Sequence, residues 1–146
     1  MPQGTLEVVL VSAHGLENTD FLSNMDAYAV LTCQNQEKKS KIASGGGSVP
    51  EWNETFLFTI SEGVSELKIK LMDKDTFTAD DFVGEATIPL EPVFDEESVP
   101  TTTYDVVKDQ KYCGGIRVSL KFSRQRTRDR EFSVEEFGGW RSSSMD

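Results

Sequence analysis

Two clusters of aspartate are the residues of this chain whose types and spacing could do chemistry. Four aspartates lie within MDKDTFTADD, at positions 73, 75, 80 and 81, and Asp20 and Asp26 bracket the earlier segment FLSNM. Two carboxylates about 5 Å apart repel each other by about 3 kcal/mol at an effective dielectric constant of about 20. A hard dication offsets that repulsion, and Ca²⁺ prefers oxygen ligands in flexible geometry. If the clusters meet in the fold they predict a calcium site, whereas an acidic loop surface facing water is the alternative.

Other kinds of metal site fit the sequence less well. An EF-hand loop that began at Asp73 would need an oxygen ligand at its fifth position, glycine at its sixth and glutamate at its twelfth. The chain has Phe77, Thr78 and Gly84 at those positions. The single histidine and the two cysteines are not placed to form a zinc site. Calcium held by loops that are distant in sequence remains the metal chemistry to test.

The segments beside the clusters alternate between apolar and polar residues. In ELKIKLMD, Leu67, Ile69 and Leu71 fall on one face and the intervening lysines on the other. A period of two residues indicates a β-strand with one face in water. The same pattern predicts strands in TLEVVLVSA, AYAVLTCQ, KKSKIA, NETFLFTI, FVGEATIPL, TTYDVV and GGIRVSLKF. In FVGEATIPL, the residues expected to point inward are Phe82, Ala86, Ile88 and Leu90.

Eight short strands separated by turn sequences predict an antiparallel β-sandwich with no internal helix. The connections SGGGSVPE and EPVFDEESVP are expected to be loops. Loops at one end of a sandwich lie together, and Asp73 has the parity of the inward residues of its strand, so its carboxylate should lie at the rim between the sheets. We expect a domain over residues 1–123 and a charged, aromatic tail over residues 124–146. The tail residues available to pack back on the sandwich are Phe132, Phe137 and Trp140.

Four segments, in order, make the chain resemble a C2 domain: LEVVLVSAHGL, DFLSNMDAY, PEWNETF and MDKDTFTADDFVGEA. The resemblance covers residues 4–123. Because the first strand precedes the first acidic loop and GGIRVSLKF comes last, the chain resembles the type II strand order of that family. The whole chain, including EFGGW in the tail, resembles the small single-C2 proteins of plants, the elicitor-responsive and small phloem protein group.

The resemblance implies a set of calcium ligands. Aspartate stands at the five ligand positions: Asp20 and Asp26 in the first loop, and Asp73, Asp75 and Asp81 in the third. Thr78 stands where some members use a hydroxyl ligand, and the backbone carbonyls of Thr19 and Lys74 are weaker candidates. Asp80 is adjacent to the pattern but outside it, in the surroundings of the site or in solvent. The family usually has proline after the second aspartate of the first loop; Ala27 replaces it here, which removes no ligand.

Large apolar residues stand among the aspartates, with Phe21 and Leu22 in the first loop and Phe77 in the third. Burial of such a side chain contributes about 1.5–3 kcal/mol, so three at one rim suggest insertion into a membrane interface. Packing back onto the core is the alternative. The resemblance then implies calcium-dependent binding of anionic phospholipid membranes, by a calcium-sensing, membrane-targeting module in signalling or defence.

A basic cluster lies on the predicted strand KKSKIA. In related domains this face can bind phosphoinositide headgroups, and a strand face exposed to water is the alternative. Its residues are Lys38, Lys39 and Lys41.

Composition restricts the partners and the compartment. The formal net charge of −10 opposes nonspecific binding to nucleic acid and unaided docking on anionic lipid, and a multivalent cation would change that balance. Cys33 and Cys113 fit the reduced thiols of a cytosolic protein better than a disulfide framework. The segment MPQGTLEVVL lacks the features of a secretory signal. We therefore expect a cytoplasmic monomer that moves to the plasma membrane when calcium rises.

The sequence also bears on two other classes of function. The only histidine, His14, has no cysteine or serine motif around it, and no phosphate loop or nucleophile elbow occurs, so we do not expect an enzyme. The alternative is an adaptor or carrier that binds protein or RNA independently of calcium. An arginine run after the sandwich favours it, and the glutamates that follow oppose it. These residues are Arg124, Arg126, Arg128 and Arg130, then Glu131, Glu135 and Glu136.

Overall fold

The computed structural model describes residues 3–16 and 25–125. Within these ranges the chain forms eight strands and one short helix. The strands are β1 Gly4–His14, β2 Ala27–Cys33, β3 Gln36–Lys39, β4 Glu51–Ile60, β5 Glu66–Asp73, β6 Asp81–Pro89, β7 Ser98–Lys108 and β8 Lys111–Arg124. The helix α1, Glu91–Glu96, lies between β6 and β7. The predicted tail falls outside the described residues after Gln125, and so do Phe132, Phe137 and Trp140.

All neighbouring strands pair antiparallel, in the order β3-β2-β5-β6-β7-β8-β1-β4. β6 and β7 share a single registered pair, Glu85 with Val107, whereas the other neighbours pair over several residues. The sheet therefore divides at this point into two halves of four strands that enclose one core. The architecture is an all-β antiparallel sandwich, which confirms the predicted fold class.

The two outermost strands, β3 and β4, are joined by side chains. The Gln36 Nε2 atom donates a hydrogen bond to the carbonyl of Thr59 at 2.6 Å, and the Gln36 Oε1 atom accepts one from the Thr59 amide at 2.8 Å. The Glu54 carboxylate accepts a hydrogen bond from the Lys41 amide at 2.8 Å. An exposed strand edge carries unpaired backbone groups that can recruit another chain. These side chains satisfy part of that edge and close the sandwich.

The core follows the alternation that the sequence predicted. Leu67, Ile69 and Leu71 on β5 are completely buried, and they belong to the same core cluster as Phe58 of β4. The intervening residues of β5 face solvent, as a strand with one wet face requires. The prediction of one core between two sheet faces is confirmed.

The expected inward position of Phe82 is wrong. Leu71 pairs with Gly84 but Met72 pairs with Phe82, so Val83 is an extra residue on β6. Such a β-bulge reverses the parity of the residues beyond it. Val83 and Gly84 are both buried as a result, and the Phe82 side chain is 37% exposed. The bulge lies beside the third acidic loop and turns an aromatic ring outward there.

Two further expectations about secondary structure are wrong. EPVFDE was expected to be a loop but forms α1, with proline in the first turn, where its missing amide costs no hydrogen bond. Val93 and Phe94 of α1 are buried, which stabilises this short helix through packing. The basic strand begins earlier than expected, at Gln36, and ends at Lys39, so Lys41 lies beyond it.

No helix in the described part of the chain is long and apolar enough to cross a membrane.

Candidate functional site

Because successive antiparallel strands alternate in direction, the β1–β2, β3–β4, β5–β6 and β7–β8 connections lie at one end of the sandwich. We call the first three of them the first loop (residues 15–26, of which 15–16 and 25–26 are described), the second loop (residues 40–50) and the third loop (residues 74–80), and their shared end the rim. Backbone hydrogen bonds join the loops around Asp26. The Lys74 amide donates to the Asp26 carbonyl at 2.9 Å, and the Gly47 amide donates to the Met25 carbonyl at 3.0 Å.

Asp26 and Asp73 meet at the centre of the rim. The Asp73 Oδ1 atom accepts a hydrogen bond from the Asp26 amide at 3.0 Å, and the Asp26 Oδ1 atom accepts one from the Gly45 amide at 2.6 Å. The Asp73 residue is only 3% exposed, as its parity on β5 predicted. Residues separated by 47 positions in sequence are therefore held in contact. A buried carboxylate at a sheet rim is costly unless its oxygens are satisfied.

The third loop is folded around the Asp75 carboxylate. Its Oδ1 atom accepts hydrogen bonds from the amides of Phe77 at 3.0 Å and Thr78 at 3.3 Å, an arrangement in which an aspartate stabilises its own turn. The Phe77 amide contributes most to holding the pKa of Asp75 below its usual range, followed by the hydroxyl and amide of Thr78. The carboxylate is therefore negatively charged at neutral pH. Phe77 stands at the tip of this loop, 93% exposed.

Asp80 links the third loop to β2. Its Oδ1 atom accepts a hydrogen bond from the Asp75 amide at 3.0 Å, and its Oδ2 atom accepts one from the Tyr28 hydroxyl at 2.5 Å. The Lys74 ammonium lies 3.9 Å from Oδ1. These interactions, led by the Asp75 amide, lower the pKa of Asp80, and the hydrogen bond to Asp80 raises the pKa of Tyr28 to about 12. Sequence reasoning left Asp80 outside the ligand pattern and did not identify Tyr28.

Asp81 begins β6 directly opposite Asp73 in the strand register, and Asp73 is likewise opposite Ala27. The ends of β2, β5 and β6 thus bring Asp26, Asp73 and Asp81 to the same part of the rim. Asp81 faces solvent. Four of the five predicted ligand aspartates lie in the described residues, and all four belong to the rim.

The donor chemistry at the rim fits Ca²⁺, which takes carboxylate and carbonyl oxygens. Across the described ranges, however, no three histidine, cysteine, aspartate or glutamate side chains stand close enough to hold a metal ion. The predicted ligands Asp20 and Thr19, and the predicted inserting residues Phe21 and Leu22, lie outside the described residues. The full ligand set therefore stays a prediction.

The basic residues near the rim do not share one side of their strand. Lys38 pairs with the buried Leu31, and its ammonium lies 5.8 Å from the centre of the Phe58 ring. Lys39 pairs with Val30 and, as the next residue of the strand, points the other way. Lys39 helps to line a hollow of about 210 Å³ at the rim, together with Tyr28, Ser40, Ile42, Lys74 and Asp80.

Comparison with known proteins supports one family. The family model for the C2 domain matches residues 4–106. The chain is 61% identical to 16 kDa phloem protein 2 of Arabidopsis thaliana over 143 residues, which cover 98% of this chain and 97% of that protein. A solved C2 domain-containing protein from an elicitor-responsive gene has a TM-score of 0.77 at 62% identity, covering 87% of this chain and 93% of that one. A calcium-bound structure of the two C2 domains of Extended-Synaptotagmin 2 gives a TM-score of 0.71 at 26% identity, covering 84% of this chain and 46% of that one.

Proposed function

We propose that this chain, which belongs to the C2 domain family, is a calcium-dependent module that binds anionic phospholipid membranes through its rim. These matches confirm the family predicted from the four sequence motifs and the plant group predicted from the likeness of the whole chain. The observation that carries the proposal is the contact between Asp26 and Asp73 at the rim, with Asp75 and Asp81 on the same loop end. The solved structure of the Extended-Synaptotagmin 2 C2 domains, which is calcium bound, supports the choice of ion.

The residues that would hold calcium are Asp20, Asp26, Asp73, Asp75 and Asp81, with Thr78 and the carbonyls of Thr19 and Lys74 as weaker candidates. When bound, the ion would supply positive charge that offsets the carboxylates and open positions for lipid phosphate oxygens. The chain's own residues prepare the site. The Gly45 amide fixes Asp26, the Asp26 amide fixes Asp73, and the Phe77 and Thr78 amides fix Asp75. Preorganised carboxylates lose less conformational freedom on binding.

The calcium-free rim should repel anionic lipid, because its carboxylates add to a net charge of −10. Once that charge is offset, the exposed Phe77 would enter the headgroup layer, and Phe21 and Leu22 of the first loop are proposed to join it. Lys39 and Lys74, which line the hollow beside Tyr28, would meet lipid phosphate. Electrostatics therefore controls access, and apolar burial adds affinity.

Vesicle co-sedimentation tests the proposal. The protein should pellet with phosphatidylserine-containing vesicles in calcium chloride, and should remain in the supernatant with a chelator or with pure phosphatidylcholine vesicles. Pelleting that is equal with calcium and with chelator would contradict calcium control. A gel shift with RNA that persists in chelator and weakens at higher salt would instead support the calcium-independent carrier function.

Phe77→Ala separates the apolar step from ion binding. Its ring supplies no oxygen, so calcium affinity in solution should be unchanged, whereas affinity for anionic vesicles should fall about tenfold, because 1.4 kcal/mol is a factor of ten and burial of Phe contributes about 1.5–3 kcal/mol. Leu57→Ala is the matched control, since Leu57 is 54% exposed on β4, outside the rim loops. Vesicle titrations at saturating calcium make the comparison. Equal binding by Phe77→Ala and wild type would mean that docking is electrostatic alone.

The cellular location and role that we propose depend on control of membrane binding by calcium. We propose that the protein is cytoplasmic at resting calcium, moves to the plasma membrane when calcium rises, and acts by binding rather than by catalysis in signalling or defence. Imaging of a fluorescent fusion during a calcium pulse tests the movement. A fusion that stays at the membrane after chelation would contradict it.

A further inference from the structure

We propose that Tyr28 and Asp80 form a positioning pair that holds the third loop in its ion-binding shape before any ion arrives. The inference deepens the proposed function and rests on it for the identity of the ion. Neither residue belongs to the ligand set predicted from the sequence. The pair instead acts on Asp75, which does belong to that set.

The contacts of Asp80 close the third loop on itself and attach it to the sheet. The loop begins near Asp75, whose amide donates to Asp80 across five residues, and it ends at Asp80 itself. The Tyr28 hydroxyl then ties that closed loop to β2, 52 residues away in sequence. Three groups from two parts of the chain thus converge on one carboxylate: the Asp75 amide, the Tyr28 hydroxyl and, at 3.9 Å, the Lys74 ammonium.

This arrangement determines where the Asp75 carboxylate lies. The Asp75 backbone is fixed through its amide by Asp80, and its side chain is fixed by the amides of Phe77 and Thr78. Without the Asp80 carboxylate, the two ends of the third loop would lose the hydrogen bond that holds them together, and the loop would lose its bond to Tyr28. The loop would then sample other shapes, and only a fraction of molecules would present Asp75 correctly. Apparent affinity falls in proportion to that fraction.

Asp80 is suited to positioning rather than to binding the ion directly. Both of its oxygens already accept hydrogen bonds, Oδ1 from the Asp75 amide and Oδ2 from the Tyr28 hydroxyl. Its neighbour Asp81 faces solvent opposite Asp73. The adjacent aspartates at the end of the third loop and the start of β6 therefore have different roles in this proposal.

The test compares Asp80→Ala, Asp80→Asn and Tyr28→Phe, with Tyr112→Phe as the matched control. Tyr112 is also on a strand but is 65% exposed and takes no part in the loop contacts. Asp80→Asn keeps an acceptor oxygen for the Asp75 amide while removing the charge. Two measurements are made on the full chain: amide hydrogen exchange by NMR in calcium-free buffer, and calorimetric titration with calcium chloride.

The decisive amides are those of Phe77 and Thr78, because they donate to Asp75 and not to Asp80. We expect Asp80→Ala to speed their exchange about tenfold and to weaken calcium binding about threefold to tenfold, as loss of hydrogen bonds of ordinary strength implies. Tyr28→Phe should show about a twofold effect on both, because water can replace the hydroxyl at a partly exposed carboxylate. Tyr112→Phe should match wild type in both measurements, and Asp80→Asn should bind calcium more tightly than Asp80→Ala.

Three results would overturn the proposal. Exchange at Phe77 and Thr78 that is unchanged in both Asp80→Ala and Tyr28→Phe would show that the pair does not hold the loop. Exchange that rises equally throughout the core would assign the pair a general structural role. A calcium affinity of Asp80→Asn as weak as that of Asp75→Asn would make Asp80 a ligand. If wild type binds no calcium, the proposed function fails, and the calcium-free exchange data still decide whether the pair holds the loop.

Discussion

The two ends of the sandwich satisfy backbone groups with opposite kinds of side chain. At the far end, the neutral amide of Gln36 both donates to and accepts from the Thr59 backbone, which joins β3 to β4. At the rim, four carboxylates each accept a hydrogen bond from a backbone amide at Oδ1: Asp26, Asp73, Asp75 and Asp80. A neutral amide serves this purpose without adding charge, whereas adjacent carboxylates repel one another. The rim therefore carries more negative charge than is needed to accept hydrogen bonds from its backbone amides. Calcium would bind to that negative charge.

Calcium binding at the rim should produce the largest change in the stability of the domain. Binding to the folded state at a hundredfold excess over Kd adds about 2.7 kcal/mol of stability, which raises the melting temperature by about 10 °C for a domain of this size. Sodium chloride at equal ionic strength is the control. Melting curves that coincide in millimolar calcium and in chelator would count heavily against an ion site at the rim.

Asp75→Asn should weaken calcium binding at least about tenfold, or 1.4 kcal/mol, because it keeps the shape of the side chain and removes a charge. The calcium-free melting temperature should hold or fall slightly, because the Asn oxygen can still accept from the Phe77 and Thr78 amides while the lowered pKa of Asp75 shows that the folded loop favours the charged form. Asp95→Asn is the matched control: Asp95 is exposed on α1, away from the rim. Calorimetry and thermal melting measure both effects. A marked loss of calcium-free stability in Asp75→Asn would identify a structural aspartate instead.

Gln36→Ala examines the far end. Loss of the two hydrogen bonds to Thr59 should lower the free energy of unfolding by about 1 kcal/mol, the usual net value for such bonds at an exposed site. Calcium affinity should not change, because the hydrogen bonds of Gln36 go to β4 and not to the rim loops. Urea unfolding and calcium titration provide the two readouts. A shift in calcium affinity here would show that the ends are coupled, contrary to the account.

The smallest effect concerns the titration of Tyr28. Its pKa is raised to about 12 by the hydrogen bond to Asp80. A raised pKa in the folded state contributes stability that is fully present below pH 10 and is lost as the pH rises toward 12. Burial also raises the pKa of Tyr104, so the late part of the tyrosinate absorbance change should lose amplitude in Tyr28→Phe without vanishing, and part of it should move to lower pH in Asp80→Ala. A late transition of full amplitude in Tyr28→Phe would show that Tyr28 does not contribute to it.

Local patterns predicted the strands and the position of Asp73, because burial on one face of a sheet imposes a period of two residues. They could not predict the outward turn of Phe82, since one extra residue at Val83 reverses that parity and no residue type announces the bulge. They also missed α1, a helix of only six residues stabilised by burial of Val93 and Phe94 rather than by its own pattern.

The family resemblance supplied the ligand pattern but not the contacts around it. Asp75 and Asp81 stand out because their spacing matches known loops. The bond from Tyr28 to Asp80 joins residues 52 positions apart, and neither alternation nor motif spacing carries information about such a pair. Lys38 and Lys39 were predicted to form one patch because they are neighbours in sequence. Consecutive residues of a strand point to opposite sides, and these two lysines do so on β3.

Calcium titration calorimetry with and without phosphatidylserine vesicles is the direct test of calcium-controlled lipid binding at the rim. We expect the protein to bind calcium in solution, anionic vesicles to tighten this binding, and Asp75→Asn to weaken it under both conditions while Asp95→Asn does not. Reciprocal coupling requires that lipid strengthens ion binding if the ion strengthens lipid binding. Absence of calcium-dependent heat in both conditions, or an affinity that vesicles leave unchanged, would contradict the account.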